Sequence, residues 1–221
     1  TLKFLWSQKS FRYIAIGGSL SSMAAYSAVG WLPTYLVRTF SMNTGAIGTW
    51  MALLLGVVGG VGTIGAGVLA DRLGRRDIRW NIWIIAWPFA VSFLFYAGVF
   101  LAPSPTWALA LYVFPALVMA SFMGPALAVS QTLVEPRMRA VASATLVLGM
   151  SLIGLGVGPL IPGLLSDLLA PAVGASSLRY ALILSQTAWL GSAGFLLLAT
   201  RSLKADFART QGLSLADPRT A

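Results

Sequence analysis

The amino-acid sequence predicts an all-α membrane protein with six transmembrane helices. Hydrophobic residues make up 57% of the 221 residues and charged residues only 10%, whereas a soluble domain carries about 25% charged residues. The mean hydropathy is accordingly positive, at +0.82. A membrane helix needs about 20 mostly apolar residues, and six stretches meet that requirement. They are residues 11–37, 47–70, 81–101, 107–134, 140–169 and 178–200.

The distribution of charge predicts how these helices are oriented. Thirteen of the fifteen Lys and Arg residues fall at one end of the predicted bundle, and Arg38 and Arg179 fall at the other. Because cytoplasmic loops carry the excess of Lys and Arg, we expect the first end, with both chain termini, to be cytoplasmic. The net charge of +9 lies at helix ends and not on one face, which argues against a nucleic-acid partner. The predicted divisions are a cytoplasmic lead-in (1–10), the transmembrane bundle (11–200) and a polar cytoplasmic tail (201–221) ending in Asp217-Pro218-Arg219.

This chain contains few residues that could support catalysis or bind a metal ion. Cys and His are both absent, which removes disulfides, thiolate metal sites and the commonest general base. None of the six acids lies in the middle of a predicted span, where an ionisable residue is the usual sign of a proton or ion pathway. We therefore expect no enzymatic activity, no cofactor and no metal site. The chain begins with Thr1 and shows no signal-peptide pattern, so we expect it to be a piece of a longer protein.

The first and fourth spans carry polar and aromatic stripes. Ser19, Ser22 and Tyr26 share one face of the first helix, and Trp31 follows near its outer end. This stripe either faces a cavity or consists of hydroxyls bonded to their own helix and an aromatic interface belt. The fourth span carries Met119 and Phe122 along one side, and Pro125 is expected to free a backbone carbonyl within the membrane. Gln131 lies deeper and either meets a substrate or bonds a neighbouring helix.

The second and fifth spans are rich in glycine. Small residues four apart let another helix backbone approach closely, which predicts packing roles for Gly56, Gly59, Gly60, Gly154 and Gly158. Pro159 and Pro162 predict a bent or broken outer half of the fifth span. The third span carries Trp and Phe in place of a small-residue stripe, so we expect it to face lipid, with a kink at Pro88.

A charged segment between the second and third spans contains Gly67, Asp71, Arg72, Gly74, Arg75 and Arg76. Asp71 is an anion at a helix end, where it needs a cation or a helix N-terminus as partner, and Gly74 permits a tight reversal. Glu135 and Arg139 emerge at the same end two helices later. We predict that Asp71, Arg72, Arg75, Glu135 and Arg139 form a network that latches the cytoplasmic ends together. Simple positive-inside charge is the alternative, and it accounts for the arginines but not for Asp71.

Residues 67–76, with the sequence Gly-Val-Leu-Ala-Asp-Arg-Leu-Gly-Arg-Arg, resemble the signature loop of the major facilitator superfamily. Glu135-x-x-x-Arg139 resembles the acidic–basic pair that these transporters place after helix 10. The stretch from 136 to 167, with its glycines and prolines, is similar to bacterial Spinster-like members. The resemblance covers all six spans, which would correspond to helices 7–12, the C-terminal half of the transporter.

This resemblance implies a twelve-helix transporter of two pseudo-symmetric halves that rock about a site near the bilayer midplane. The first and fourth spans would line the cavity, the second and fifth would face a missing N-terminal six-helix half, and the third and sixth would face lipid. Segment 67–76 with Glu135 and Arg139 would serve as a cytoplasmic gate. The candidate substrate contacts are then Ser22, Tyr26, Trp31, Met119, Phe122 and Gln131.

The partners implied are the lipid bilayer, the missing half, and a small or amphipathic, lipid-like solute, since Spinster-like relatives are associated with lysolipid and sphingolipid transport. If a coupling proton is used, its titrating group is expected in the missing half. The expected location is the bacterial inner membrane. Two alternatives stand beside this hypothesis: a drug or organic-acid exporter of the same superfamily, and a non-transporting sensor or scaffold that docks a partner on the arginine-rich loop. A membrane-embedded enzyme is the weakest alternative.

Overall fold

The computed structural model describes residues 2–216, with side chains over residues 2–209. Thr1 and the predicted tail residues Asp217, Pro218 and Arg219 lie outside the described residues. Every regular element in the described part is helical. The α-helices are α1 (Leu2–Ser7), α2 (Lys9–Phe40), α3 (Thr44–Ala52), α4 (Gly59–Gly74), α5 (Trp80–Leu101), α6 (Pro105–Met119), α7 (Met123–Thr132), α8 (Arg139–Val157), α9 (Leu160–Val173), α10 (Ser177–Ser185) and α11 (Ala188–Ala216). A π-helical segment, Leu53–Val58, joins α3 to α4, and short 3₁₀ turns at Pro136–Met138 and Gly174–Ser176 precede α8 and α10.

Four helical stretches of the described residues are long and apolar enough to cross a membrane: Thr44–Gly74, Trp80–Leu101, Pro105–Thr132 and Pro136–Arg209. The last of these runs over 74 residues and contains α8 to α11. Helix α2, which contains the first predicted span, is long but is not among the four. The predicted all-helical membrane architecture is confirmed at this level.

The helix boundaries follow from local sequence chemistry. Ser41 adopts a left-handed conformation (φ 51°) and ends α2, and the Asn43 side chain then accepts a hydrogen bond from the Gly45 N–H to cap α3. Ser104 caps α6 in the same way, with Pro105 in the first turn, where its missing N–H costs nothing. These caps turn the chain over a few residues, which keeps consecutive helices antiparallel and adjacent.

Two helix breaks lie next to prolines, each of which removes a backbone hydrogen bond. Pro125 has no N–H to donate to the Ser121 carbonyl, and the chain leaves helical geometry between α6 and α7, just before it. Pro159 likewise separates α8 from α9, so the broken fifth span expected from its prolines is observed. Helix α5, in contrast, continues through Pro88, where the Ser92 hydroxyl donates to the Pro88 carbonyl at 2.8 Å.

Helix α2 packs at the centre of the bundle, against α8 on one side and α11 on the other. Close approach to α11 depends on Gly17, whose carbonyl accepts a hydrogen bond from Ser192 at 2.7 Å. Helix α11 also packs on α5, and α5 on α6. The core between them is aromatic as well as aliphatic, with Trp189, Phe89 and Tyr96 fully buried. One side of α4 and of α8 has no covering element in the described part of the chain.

Three polar contacts gather chain segments at the end that contains the start of α2. The Gln8 side chain donates to the Leu133 carbonyl at 2.7 Å, and the Ser10 backbone N–H donates to the Asp206 carboxylate at 2.8 Å. Lys204 forms an ion pair with Asp77, with Nζ and Oδ2 at 2.7 Å. The segments predicted from their charge to share one side of the membrane therefore do meet at one end of the bundle.

Candidate functional site

A cavity of about 390 Å³ opens in the middle of the bundle, and we call it the central cavity. It lies between α2, the π-helical segment, the α6–α7 break, α8 and α11. Its lining residues are Ser21, Ser22, Ala25, Tyr26, Val29, Leu55, Met119, Ala120, Phe122, Met123, Met150 and Trp189. The volume is within the range of pockets that hold small organic ligands.

The structure brings four of the six predicted contact residues into this cavity. Ser22 and Tyr26 come from α2, while Met119 and Phe122 come from the end of α6 and the break that follows it. The aromatic and hydroxyl stripe on α2 therefore faces a cavity over these positions. Ser19 is an exception, because it lines a separate groove between α2 and α8.

Trp31 and Gln131 lie outside the central cavity and bond neighbouring helices instead. The Trp31 indole N–H donates to the Pro159 carbonyl at 2.8 Å, at the break between α8 and α9. Gly163 lies beside the Trp31 ring there, where a Cβ would make an ordinary van der Waals contact with the ring at 3.4 Å. The Gln131 side chain donates to the Ser143 hydroxyl at 3.0 Å, which is the helix–helix alternative left open by the sequence.

The chemistry of the cavity wall is apolar, with a few hydroxyls. None of the described residues that line it is charged. Three of its side chains are methionines, which are flexible and polarisable and adapt to varied apolar surfaces. The Ser21 hydroxyl donates to the Gly18 carbonyl of its own helix at 2.8 Å, but the Tyr26 hydroxyl has no hydrogen-bond partner among the described residues. Tyr26 is 40% exposed, so its hydroxyl is available to a ligand.

Two glycines let the cavity walls come together. A Cβ on Gly18 would lie 2.7 Å from the Phe122 ring, and a Cβ on Gly154 would lie 2.8 Å from both the Ser22 Cβ and the Tyr26 ring. Either methyl group would displace a cavity-lining side chain. The positions of Phe122 and Tyr26 therefore depend on having glycine, with no side chain, at positions 18 and 154.

An aromatic cluster supports the cavity from behind. Phe122 stacks on Phe89, with ring centroids 5.9 Å apart, and Phe89 meets Trp189 edge-on at 4.6 Å. Tyr96 stacks on the far side of Trp189 at 6.0 Å. Such contacts fix ring orientations and contribute about 0.5–1.5 kcal/mol per pair beyond area burial, so they hold the cavity wall in one arrangement.

Several lining residues were not predicted from the sequence. Trp189 and Met150 come from the sixth and fifth spans, which were expected to face lipid and the missing half. Leu55 lies in the π-helical segment, a helix form that is rare and concentrates at functional sites. Apolar residues on apolar helices give no periodic contrast, so no sequence signal separated these three from ordinary packing residues.

The charged segment 67–76 is more helical than expected. Helix α4 continues to Gly74, so Asp71 and Arg72 lie in its last turn. Gly74 keeps an ordinary negative φ, and the reversal does not depend on a left-handed glycine. Instead, a Cβ on Gly74 would lie 2.7 Å from the Asn81 side chain, so the glycine permits close packing of α4 against the start of α5. Gly67 has open space around it.

The predicted five-residue latch is not assembled within the described part of the chain. Glu135 lies 3.9 Å from Arg137 Nε, and it has no ion pair with Arg139 among the described side chains. Asp71, an exposed residue, likewise has no ion pair there. The same holds for the exposed residues Arg72, Arg75 and Arg76. The latch stays a prediction for a longer protein in which other segments reach this end.

The acid that does join two elements is Asp77, which the sequence argument did not use. Its carboxylate accepts from Lys204 at 2.7 Å and from the Arg79 backbone N–H at 2.9 Å. The Lys204 hydrogen bond, and next the Arg79 one, lower the pKa of Asp77 below its ordinary value. The pair ties the loop after α4 to the polar end of α11.

Three of the five predicted packing glycines contact a neighbouring helix, and two do not. Gly154 and Gly158 lie against α2: a Cβ on Gly158 would sit 2.8 Å from the Met23 carbonyl. Gly59 makes ordinary contacts with α6. Gly56 and Gly60 have open space around them. The tightest approach on α4 is at Gly62, where a Cβ would collide with the Leu117 carbonyl of α6.

Comparison with known proteins identifies the family. The family model described as Major Facilitator Superfamily matches residues 1–159. An MFS-type efflux pump of Mycolicibacterium smegmatis is 32% identical over 200 residues, which are 86% of this chain and 46% of that protein.

The fold is similar to that of a bacterial homolog of the human lysosomal transporter Spinster, solved in two inward-facing conformations. The unoccupied form matches with a TM-score of 0.82 and 22% identity over 92% of this chain and 50% of that one. The occupied form matches with a TM-score of 0.79 and 22% identity over 90% of this chain and 50% of that one. The chain therefore spans about half the length of these relatives.

Proposed function

The chain belongs to the major facilitator superfamily, and on that basis we propose that it is the C-terminal half, helices 7–12, of a secondary transporter. The transported solute is small or amphipathic and lipid-like, and it crosses by alternating access between two halves. The proposed setting is the bacterial inner membrane with both termini cytoplasmic, since the Lys and Arg residues gather at one end.

The observation that supports this proposal is the central cavity. Its wall combines methionine and aromatic side chains with the unpartnered Tyr26 hydroxyl, and it contains no charged residue. An amphipathic molecule can place its apolar part against Met119 and Phe122 and direct a polar group to Tyr26. This wall offers no counter-charge to a purely ionic solute. Such a solute would bind poorly, because removing an ion from water without a counter-charge is costly.

A second candidate function is drug efflux, and the 32% identical efflux pump of Mycolicibacterium smegmatis favours it. The same apolar wall suits lipophilic drugs, since methionine-rich surfaces accept varied shapes. The two candidates share the cavity and the mechanism, and they differ only in cargo. Two probes separate them: a fluorescent lysophospholipid and the lipophilic cation ethidium.

The test uses the complete protein reconstituted in proteoliposomes. We expect Tyr26→Phe to slow transport of the accepted probe about 2- to 10-fold, because it removes one hydrogen bond worth about 0.5–1.5 kcal/mol. Tyr180→Phe is the matched control, since Tyr180 is similarly exposed, at 45%, but lies outside the cavity. Met119→Trp fills the cavity and should stop transport. If both cavity variants transport like the Tyr180 control, the central cavity is not the pathway.

A further inference from the structure

A second cavity, of about 280 Å³, lies at the end of the bundle where α2 finishes and α10 begins, and we call it the arginine pocket. Its lining residues are Tyr35, Arg38, Thr39, Ala175, Ser176, Ser177, Leu178 and Arg179. This end is opposite the one where Ser10 contacts Asp206. Among the described residues, the lining therefore contains two cations, Arg38 and Arg179, and no acid.

The two guanidinium groups have no partner in the described part of the chain. Neither Arg38 nor Arg179 forms an ion pair or a side-chain hydrogen bond there. Asp167 on α9 is exposed, and it is not within ion-pair distance of either arginine. A guanidinium stays charged at every physiological pH and offers five N–H donors in a planar fork. Two such forks in one pocket leave a positive charge that nothing in the described chain neutralises.

Hydroxyl groups extend the set of donors. Tyr35 and Ser177 are engaged, since Tyr35 donates to the Phe100 carbonyl at 2.7 Å and Ser177 bonds Ser166 at 3.1 Å. The hydroxyls of Thr39 and Ser176 have no hydrogen-bond partner among the described residues. The pocket thus presents two cationic forks and two free hydroxyls, which is more than the two oxygens of a carboxylate can use.

We propose that the arginine pocket binds a phosphate group, carried either by free phosphate or by the headgroup of an acidic phospholipid. Arg38 and Arg179 would each donate paired N–H bonds to phosphate oxygens, the geometry in which guanidinium binds phosphate most strongly. Thr39 and Ser176 would donate to the remaining oxygens. This site is separate from the central cavity, which has no charge, and it does not depend on the transport function.

The experiment has two arms on the complete, purified protein. In the first, inorganic phosphate is titrated calorimetrically in neutral detergent. In the second, retention of phosphatidylglycerol against phosphatidylcholine is measured by native mass spectrometry. We expect Arg38→Ala and Arg179→Ala each to weaken binding about tenfold or more in the arm that shows binding, because each removes charge-assisted hydrogen bonds. Arg179→Lys keeps the charge without the fork and should fall between the wild type and Arg179→Ala.

Arg201→Ala is the matched control, because it removes one exposed cation from the opposite end of the bundle. Loss of phosphate affinity in the pocket variants alone identifies a site for the free anion. Loss confined to phosphatidylglycerol retention identifies a lipid headgroup site. If the pocket variants match Arg201→Ala in both arms, or if the wild type binds in neither, the proposal is wrong. Melting temperatures of all variants check that the fold is intact.

Discussion

A single ion pair, between Asp77 and Lys204, joins two parts of the chain that are distant in sequence. Asp77 follows α4, and Lys204 lies 127 positions later on α11. Asp77 also accepts from the Arg79 N–H, so the carboxylate is held on both sides. Asp71, the acid that the family resemblance emphasises, has no such partner in the described chain. The two acids therefore differ in role. Asp77 joins two elements of this chain, while Asp71 is exposed and available to contact the proposed second half.

The Asp77–Lys204 pair predicts a pH-dependent contribution to stability. Because the pKa of Asp77 is lowered in the folded protein, the contribution is complete above the ordinary Asp pKa and disappears as pH falls through the lowered one. At neutral pH, Asp77→Asn should lower the melting temperature by about 1–3 °C, as expected for a partly exposed pair. The difference should shrink in high salt and fade as the pH falls through the lowered pKa of Asp77.

Asp71→Asn is the control for this prediction, since it removes the same charge at an unpaired site. It should leave the melting temperature unchanged, and it should impair transport if Asp71 belongs to the cytoplasmic gate. A melting temperature lowered equally by Asp71→Asn and Asp77→Asn would show that overall charge, and not the pair, is responsible.

At the level of the helices, the sequence predicted where segments lie better than where they break or bulge. All six predicted stretches fall on helices, because about 20 apolar residues leave few other structures possible in lipid. The breaks before Pro125 and at Pro159 follow from missing N–H groups. The π-helical segment Leu53–Val58 and the break between α10 and α11 had no comparable signal, since no proline marks them and packing against neighbouring helices decides them.

The fourfold spacing of glycines did not identify the glycine that makes the closest helix–helix contact. Fourfold spacing selected Gly56 in the π-helical segment and Gly60 on α4, yet both have open space around them, while Gly62 meets the Leu117 carbonyl of α6. Thr63 bridges the same two helices, with its hydroxyl 3.2 Å from the Ala120 carbonyl. Spacing shows that an approach is possible, but the rotation of the helix decides which glycine makes it.

This contrast yields a prediction for α4. Gly62→Ala should separate α4 from α6 and destabilise the protein by about 1–3 kcal/mol, because a backbone carbonyl cannot move aside as a flexible side chain can. Gly65→Ala is the control, since Gly65 has nothing within 4 Å, and alanine there should be neutral or slightly stabilising through its higher helix propensity. Thermal unfolding in detergent measures both. Equal melting temperatures would contradict the close α4–α6 contact.

For the molecule as a whole, the lining of the candidate site was predictable in part. The contrast between polar and apolar residues on α2 and α6 located Ser22, Tyr26, Met119 and Phe122, all of which line the central cavity. Trp31 and Gln131 share that contrast but bond neighbouring helices, because the same side chains satisfy backbone groups at a break or an interface. Pattern alone cannot separate these two uses of a polar group.

The side of the molecule formed by α4 is the place where the proposed second half should lie. Val61, Ile64 and Val68 on α4 are exposed and spaced three and four residues apart, so they form one apolar stripe along the helix. Val57, also exposed, precedes them in the π-helical segment. Ile64 is the most open of them, at 70%. Leu94 on α5 is comparably exposed, at 66%, on a helix expected to face lipid. Two positions with equal exposure in this chain therefore differ in what should cover them.

Spin labels at these two positions test the proposed twelve-helix assembly. In a cysteine-free version of the complete protein, a label at Ile64→Cys should be shielded from oxygen dissolved in the bilayer, because the second half packs over α4. A label at Leu94→Cys should collide freely with oxygen in the same membrane. The ratio of the two collision rates by electron paramagnetic resonance is the measurement. Equal, high accessibility at both positions would mean that α4 faces lipid and that the second half lies elsewhere.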